Sequence, residues 1–325
     1  MKKYVKHILI AFICFLFILV LNFALPRLLP GSPIGYLTGF EEEGMSKEKY
    51  EFYYHALHLD ENIFKQFLYY LKSIFDGTLG YSYKKEEVVA TLIKNVLKNS
   101  LQIMIPATII SLSLGLILGL RFGYKKDKLG DKIATTLFII QNAMPSFMIG
   151  LCLIILFCFQ NKWFPYVGIT SGNYIKGTFA YFKDKMYHLV LPVTTLVLAT
   201  FPARYLLVRN MAAKFSDDKC ILYAKERGLN DRTIRWKYLF LNIIYPFITM
   251  CGLSIGTCVG GSIVVENIFS INGVGSLLNQ AINTLDYPLM QGILFITTTS
   301  MIIMVILADI ICIILDPKVR KETSL

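Results

Sequence analysis

Hydrophobic runs close to the length of a bilayer crossing dominate this chain, and they leave few folds open to it. A helix needs about 20 mostly apolar residues to span the hydrocarbon core. Such runs lie at 8–29, 101–120, 133–160, 188–208, 243–265 and 291–315. The third contains Pro145 and is long enough for a tilt or a kink. In lipid every backbone polar group has to be satisfied inside the element, so the runs predict six helices. Only 17% of residues are charged and mean hydropathy is +0.54, whereas a soluble domain carries roughly 25% charge. The fold class expected is an all-α polytopic membrane protein with six transmembrane helices.

Six crossings put both termini on one side, and the charges choose which. The segments 1–7, 121–132, 209–242 and 316–325 carry 3, 5, 8 and 3 lysines or arginines, whereas 161–187 carries 4 and 266–290 none. Basic loops stay inside, so both termini and residues 209–242 are expected in the cytoplasm. The net charge of +11 is then a topology signal and implies no nucleic-acid partner. The run after Lys2, Lys3 and Lys6 is longer than a signal h-region of about 7–15 residues, so 1–29 is expected to be a retained first helix. Residues 30–100 form an extracytoplasmic segment of about 70 residues, and 101–325 the remaining five helices. In that segment Val88, Val89, Leu92, Ile93, Val96 and Leu97 recur at helical spacing, with Lys94 and Lys98 off the stripe. They predict a helix that lies on the outer surface or packs on protein.

Catalytic chemistry is hard to find. There is no GxxxxGK[ST] phosphate loop, HExxH or GxSxG, and the seven cysteines form no CxxC; they read as small buried hydrophobes. His55 and His58 could share a helical face, more as solvated surface than as metal ligands, and His188 reads as interfacial. Asp309 is the ionisable residue singled out within a run, and Glu266 stands at the outer end of the fifth. The fifth run also holds Gly252, Gly256, Gly260 and Gly261, small residues on one helical face. That face either lines a translocation path or permease interface, or serves ordinary tight packing. Gly115 and Gly119 repeat the pattern more weakly.

The stretch from Cys220 to Pro246 is too polar to cross a membrane, and the helix signals around it cover 216–240. Ser216, Asp217 and Asp218 predict a helix start, with Ser216 as N-cap. Gly228 after Arg227 predicts a left-handed stop, and Asn230 or Asp231 a second helix towards Phe240. The pair would present Tyr223, Ala224, Leu229, Ile234 and Trp236 beside Lys225, Arg227, Arg232, Arg235 and Lys237. It is either a docking element, apolar anchors inside a charged rim, or a solvated loop that fixes topology.

These residues resemble the "EAA" coupling motif of ABC-importer permeases, with Ala224, Gly228 and the downstream Pro246 as its constant elements and Glu226 in place of the usual small residue. The stretch from Gly260 to Gly292 resembles the corresponding part of dipeptide/oligopeptide/nickel permeases. So do Pro30–Pro33, Leu57–Asp60, Gly77–Ser82, Met144–Phe147, Pro165–Gly168, Asp309 and Asp316-Pro317-Lys318. Nearly the whole chain is covered, in order, and is similar to a first (B-type) permease. The resemblance implies a type I ABC-importer permease fold in the plasma membrane. It implies a second homologous permease, two cytoplasmic ATPase subunits that bind ATP and Mg, and an extracytoplasmic substrate-binding protein. Residues 216–240 become the coupling helices, with Tyr223, Ala224, Glu226, Gly228, Leu229 and Pro246 as ATPase-coupling residues. This chain would hold no cofactor, metal or catalytic group. The expected cargo is a short peptide, with nickel or a metallophore complex as the alternative and stand-alone secondary transport a remote one.

Overall fold

A computed structural model describes residues 2–30, 34 and 46–315, with side chains of the first helix described from Ile13 onward. The motif residues Gly31–Pro33 and Asp316–Lys318 therefore lie outside the described residues, as do the charges of both ends. The helices are α1 (Lys2–Arg27), α2 (Lys47–Ala56), α3 (Ile63–Phe75), α4 (Val89–Tyr124), α5 (Leu129–Asn142) and α6 (Ser146–Ile154). They continue with α7 (Phe179–Phe215), α8 (Lys219–Glu226), α9 (Asp231–Gly260), α10 (Ile263–Ile268), α11 (Val274–Asn283) and α12 (Tyr287–Leu315). The described strands are the two-residue pair β1 (Tyr81–Ser82) and β2 (Glu87–Val88).

Four helices, α4, α7, α9 and α12, are long and apolar enough to cross a membrane. The third run is a bent pair, a broken span or a re-entrant loop: α5 and α6, the latter extended by a π turn over Ile155–Gln160, meet at 94°. The break falls where Pro145 restricts Met144 to extended backbone and itself sits at φ −61°, ψ 143° as the cap of α6. The first predicted run falls in α1, whose described apolar part is the shorter stretch Ile13–Arg27.

The chain forms two compact units. One consists of residues up to Ser100 with 259–263 and 272–302. In it Val89, Ile93 and Val96 of α4 are buried against Val274, Leu277, Ala281 and Leu289. The predicted amphipathic stripe is thus real, with Lys94 and Lys98 exposed, but its helix does not lie on the surface before the crossing. It is the first three turns of α4, because no glycine or proline interrupts the chain before Pro106. On α1, Leu19 and Phe23 pack on Tyr70, and the Arg27 guanidinium lies 3.7 Å over the Phe23 ring while Nη2 donates to Gln66 Oε1 at 2.8 Å. His55 and His58 separate: α2 ends at Ala56, His55 meets Asp60 at 2.8 Å, and His58, at φ +54°, stacks on Tyr69.

The other unit holds 101–258, 264–271 and residues from Ile303 onward. Its core joins Ile103 and Ala107 of α4 with Leu196, Phe201 and Tyr205 of α7. Pro202 leaves the Leu198 carbonyl without its helical donor, and the Gln141 side chain of α5 supplies one at 2.9 Å, which is how membrane helices tolerate proline. His188 is buried within α7, its Nδ1 2.9 Å from the Asp184 carbonyl.

Candidate functional site

The polar segment 216–240 folds as two helices joined at a glycine, as its pattern predicted, with different ends. Ser216 does not cap α8. It closes α7 instead, donating its hydroxyl to the Ala213 carbonyl at 2.9 Å, and α8 starts one residue after Asp218. A serine three residues past a helical carbonyl can return its proton there as readily as it can cap the next helix. At the other end Gly228 takes φ +74°. Its N–H reaches the Lys225 carbonyl at 2.9 Å, and that of Leu229 reaches Ala224 at 3.2 Å. These two bonds make a Schellman stop. Asn230 then caps the second helix, its Oδ1 accepting from the Thr233 N–H at 2.7 Å.

That second helix does not stop near Phe240. It passes through a π turn, Ile234–Leu239, and runs on into the membrane-length part of α9. Ala224 and Ile234, expected on the presented face, are buried with Ile221, Leu239 and Ile243 against Leu120 and Tyr124 of α4 and Val208 and Ala212 of α7. Ala224 is small because its own chain approaches it. What remains outward is Leu222, Tyr223 and Trp236, with Glu226 and the basic residues Lys225, Arg227, Arg232 and Lys237. Leu229 is half-buried and Pro246 lies exposed farther along α9.

Polar contacts tie the pair down. Lys125 meets Asp231 at 3.0 Å, Tyr124 donates to the same carboxylate at 3.1 Å, and Lys225 lies 4.9 Å over the Tyr124 ring. Lys126 pairs with Asp217 and holds its carboxyl below the usual carboxylate range. These groups are exposed and each pair contributes little. A stronger tie is buried: Asp131, at the start of α5, accepts from Arg209 Nε at 2.9 Å, from Arg209 Nη2 and from the Asp127 N–H at 3.1 Å.

Helices α4 and α7, which carry the pair, approach unusually closely. A Cβ on Gly115 would stand 2.9 Å from Arg204 Cβ, one on Gly119 2.7 Å from Val208 Cβ, and one on Gly123 2.6 Å from the Arg209 carbonyl oxygen. The weaker glycine pattern of the sequence is therefore a close seam as well, and it extends to Gly123.

Gly252 and Gly260 of the fifth run both face α12, although the run changes from α-helix to a 3-10 turn between them. A Cβ on Gly252 would stand 2.6 Å from Ala308 Cβ, and one on Gly260 2.6 Å from Thr297 Cγ2. Gly256 is buried at the end of the α-helical stretch, Thr257–Gly260 is a 3-10 turn, and Gly261 at φ +67° breaks the chain before α10. Glu266 is fully buried on α10 rather than at a helix end. Asp309 is exposed on α12.

Residues 111–321 match the family described as binding-protein-dependent transport system inner membrane component. The chain belongs to this family. It is 28% identical over 321 residues to the nickel import system permease protein NikB of Staphylococcus aureus strains bovine RF122 / ET3-1, MRSA252 and USA300, covering 98% of this chain and 92% of theirs. The permease is thus an ABC-importer subunit of the dipeptide/oligopeptide/nickel group, a multi-pass plasma-membrane protein that works with a binding protein and an ATPase. Peptide cargo, the first expectation, is less well supported than the nickel alternative.

Proposed function

We propose that this permease carries nickel, as the ion or a complex, and that α8 with the start of α9 seats on a cytoplasmic ATPase. The likeness to the nickel import permeases over 98% of the chain carries the cargo reading. The docking reading is supported by the outward Tyr223 and Leu222 on a base whose buried side is pinned to α4 and α7. In this reading both termini and residues 209–242 are cytoplasmic and the segment after α1 is external. A second homologous permease completes the path, and the 252–261 glycines with Glu266 belong to that path or to the interface between the permeases. Two ATPase subunits bind ATP and Mg, and the permease itself hydrolyses nothing. Closure of the ATPases moves α8, and the crossings rock between outward- and inward-facing states. Moving such an equilibrium from 1:99 to 99:1 takes about 5.5 kcal/mol of differential binding, within reach of a seated apolar and basic face.

The test is uptake of labelled nickel by the host cell, with this permease deleted and restored, beside uptake of labelled trialanine. Deletion is expected to abolish nickel uptake from trace concentrations and leave the tripeptide untouched. Loss of tripeptide uptake alone would assign the peptide cargo instead.

A further inference from the structure

Arg204 is a cation inside an apolar helix, in the C-terminal third of α7. Arginines near the end of a crossing normally extend to the interface, but this one points the other way. Side chains lean towards the N-terminus of their helix, and Arg204 Nη1 donates to the Thr108 carbonyl of α4 at 3.3 Å. Thr108 lies sixteen residues before Tyr124, about 24 Å along α4 at 1.5 Å per residue. The guanidinium is therefore held deep, away from the basic ends of both helices. Among the described residues no carboxylate comes within 4.0 Å of it.

Its surroundings are polar. Thr108 Oγ1 is 3.3 Å from Cys258 Sγ, Ser111 donates to the Thr108 carbonyl, and Thr200, one turn before Arg204, donates to Ser111 Oγ at 3.2 Å. Arg204 itself is only half-buried. The close approach at Gly115 fixes its backbone, so the side chain cannot withdraw by a shift of α7. A half-exposed guanidinium at this depth is not compatible with facing lipid. It faces either water or a counter-charge brought by something else.

We infer that Arg204 lines the translocation path and receives a carboxylate of the passing cargo. The carboxylate could belong to an organic acid that chelates the metal or to a peptide C-terminus. Guanidinium offers donors only, in a fork matched to carboxylate, and Thr200, Ser111 and Thr108 add hydroxyls beside it. The inference rests on the importer reading above but not on which cargo is correct.

The experiment uses the complete transporter with its binding protein and ATPases, in vesicles. Labelled nickel supplied with citrate and labelled trialanine are the two cargo arms. In whichever arm the wild type transports, Arg204→Gln is expected to lose about tenfold in uptake, and Arg204→Lys, which keeps the charge without the fork, to lose less than Arg204→Gln. Both variants should retain the partner permease and the ATPases on purification. A cargo-independent arm places Arg204→Cys in a chain whose other cysteines are replaced. Charged, impermeant thiosulfonates should modify it in the assembled complex. Wild-type uptake by Arg204→Gln, or no modification of the introduced thiol, overturns the inference. Loss of the partner permease from Arg204→Gln does so too, since it assigns the guanidinium to a subunit ion pair. If neither cargo is carried but the thiol is modified, the cargo reading fails while the path assignment stands.

Discussion

Gly228 illustrates how much one residue can state in advance. A glycine after a basic last turn predicts a left-handed stop, and the residue takes φ +74° with both Schellman bonds formed. A Cβ there meets nothing within 4 Å, so the requirement is conformational and not steric. Gly228→Ala should cost about 1 kcal/mol for the left-handed backbone. Gly228→Pro should cost about 3 kcal/mol or more, since proline cannot adopt that φ and loses the N–H bonded to Lys225. Hydrogen exchange over 219–240 in the purified protein reads both, and equal protection in the two variants would contradict the assignment. Neighbouring residues were less legible. Ser216 has the chemistry of both a cap and a closing residue, and only the three-dimensional end of α7 decides between them. Arg204 was hidden by its company, one charge averaged into an apolar run.

Among the helices, glycine was the ambiguous signal, because it permits close approach and also breaks the chain. In α4 it does the first and in the fifth run it does both, so similar spacings gave unlike structures. Gly119→Leu must displace Val208, whose Cβ and Cγ1 stand 2.7 Å from the new atom, and is expected to destabilise by about 1–3 kcal/mol. Gly130→Ala on α5 meets its nearest neighbour, Phe122 Cε1, at an ordinary 3.6 Å and should be nearly neutral. Thermal unfolding of the purified permease compares them, and matching midpoints would show that the seam can relax. Helix starts were also misplaced wherever nothing punctuates the chain. The stripe at Val89–Val96 predicted burial correctly, but a separate surface helix was read from what is the beginning of α4.

For the whole molecule, six hydrophobic runs sufficed to predict the class, and a proline within one of them marked the bent pair. Which face of the 216–240 pair looks outward was not legible, because a buried alanine and an exposed tyrosine are equally compatible with a helical pattern. Burial changes the expected result of mutation. Ala224→Arg buries a charge against α4 and α7 and should disrupt the pair itself. Tyr223→Ala combined with Trp236→Ala should leave the fold intact and weaken ATPase capture about tenfold, roughly 1.4 kcal/mol. Quantitative co-purification checks this, and full capture by the double variant would remove these side chains from the docking surface. Helix α9 gives that surface a further significance. From Asp231 to Gly256 it runs without a break for roughly 40 Å. In the docking reading a push delivered at its foot would travel as along a tappet, past Pro246, where the backbone is one hydrogen bond short. Timing between fuel and gate would then be set by the wide π turn at 234–239, where the rod has a spare residue to give, together with the bend that Pro246 permits.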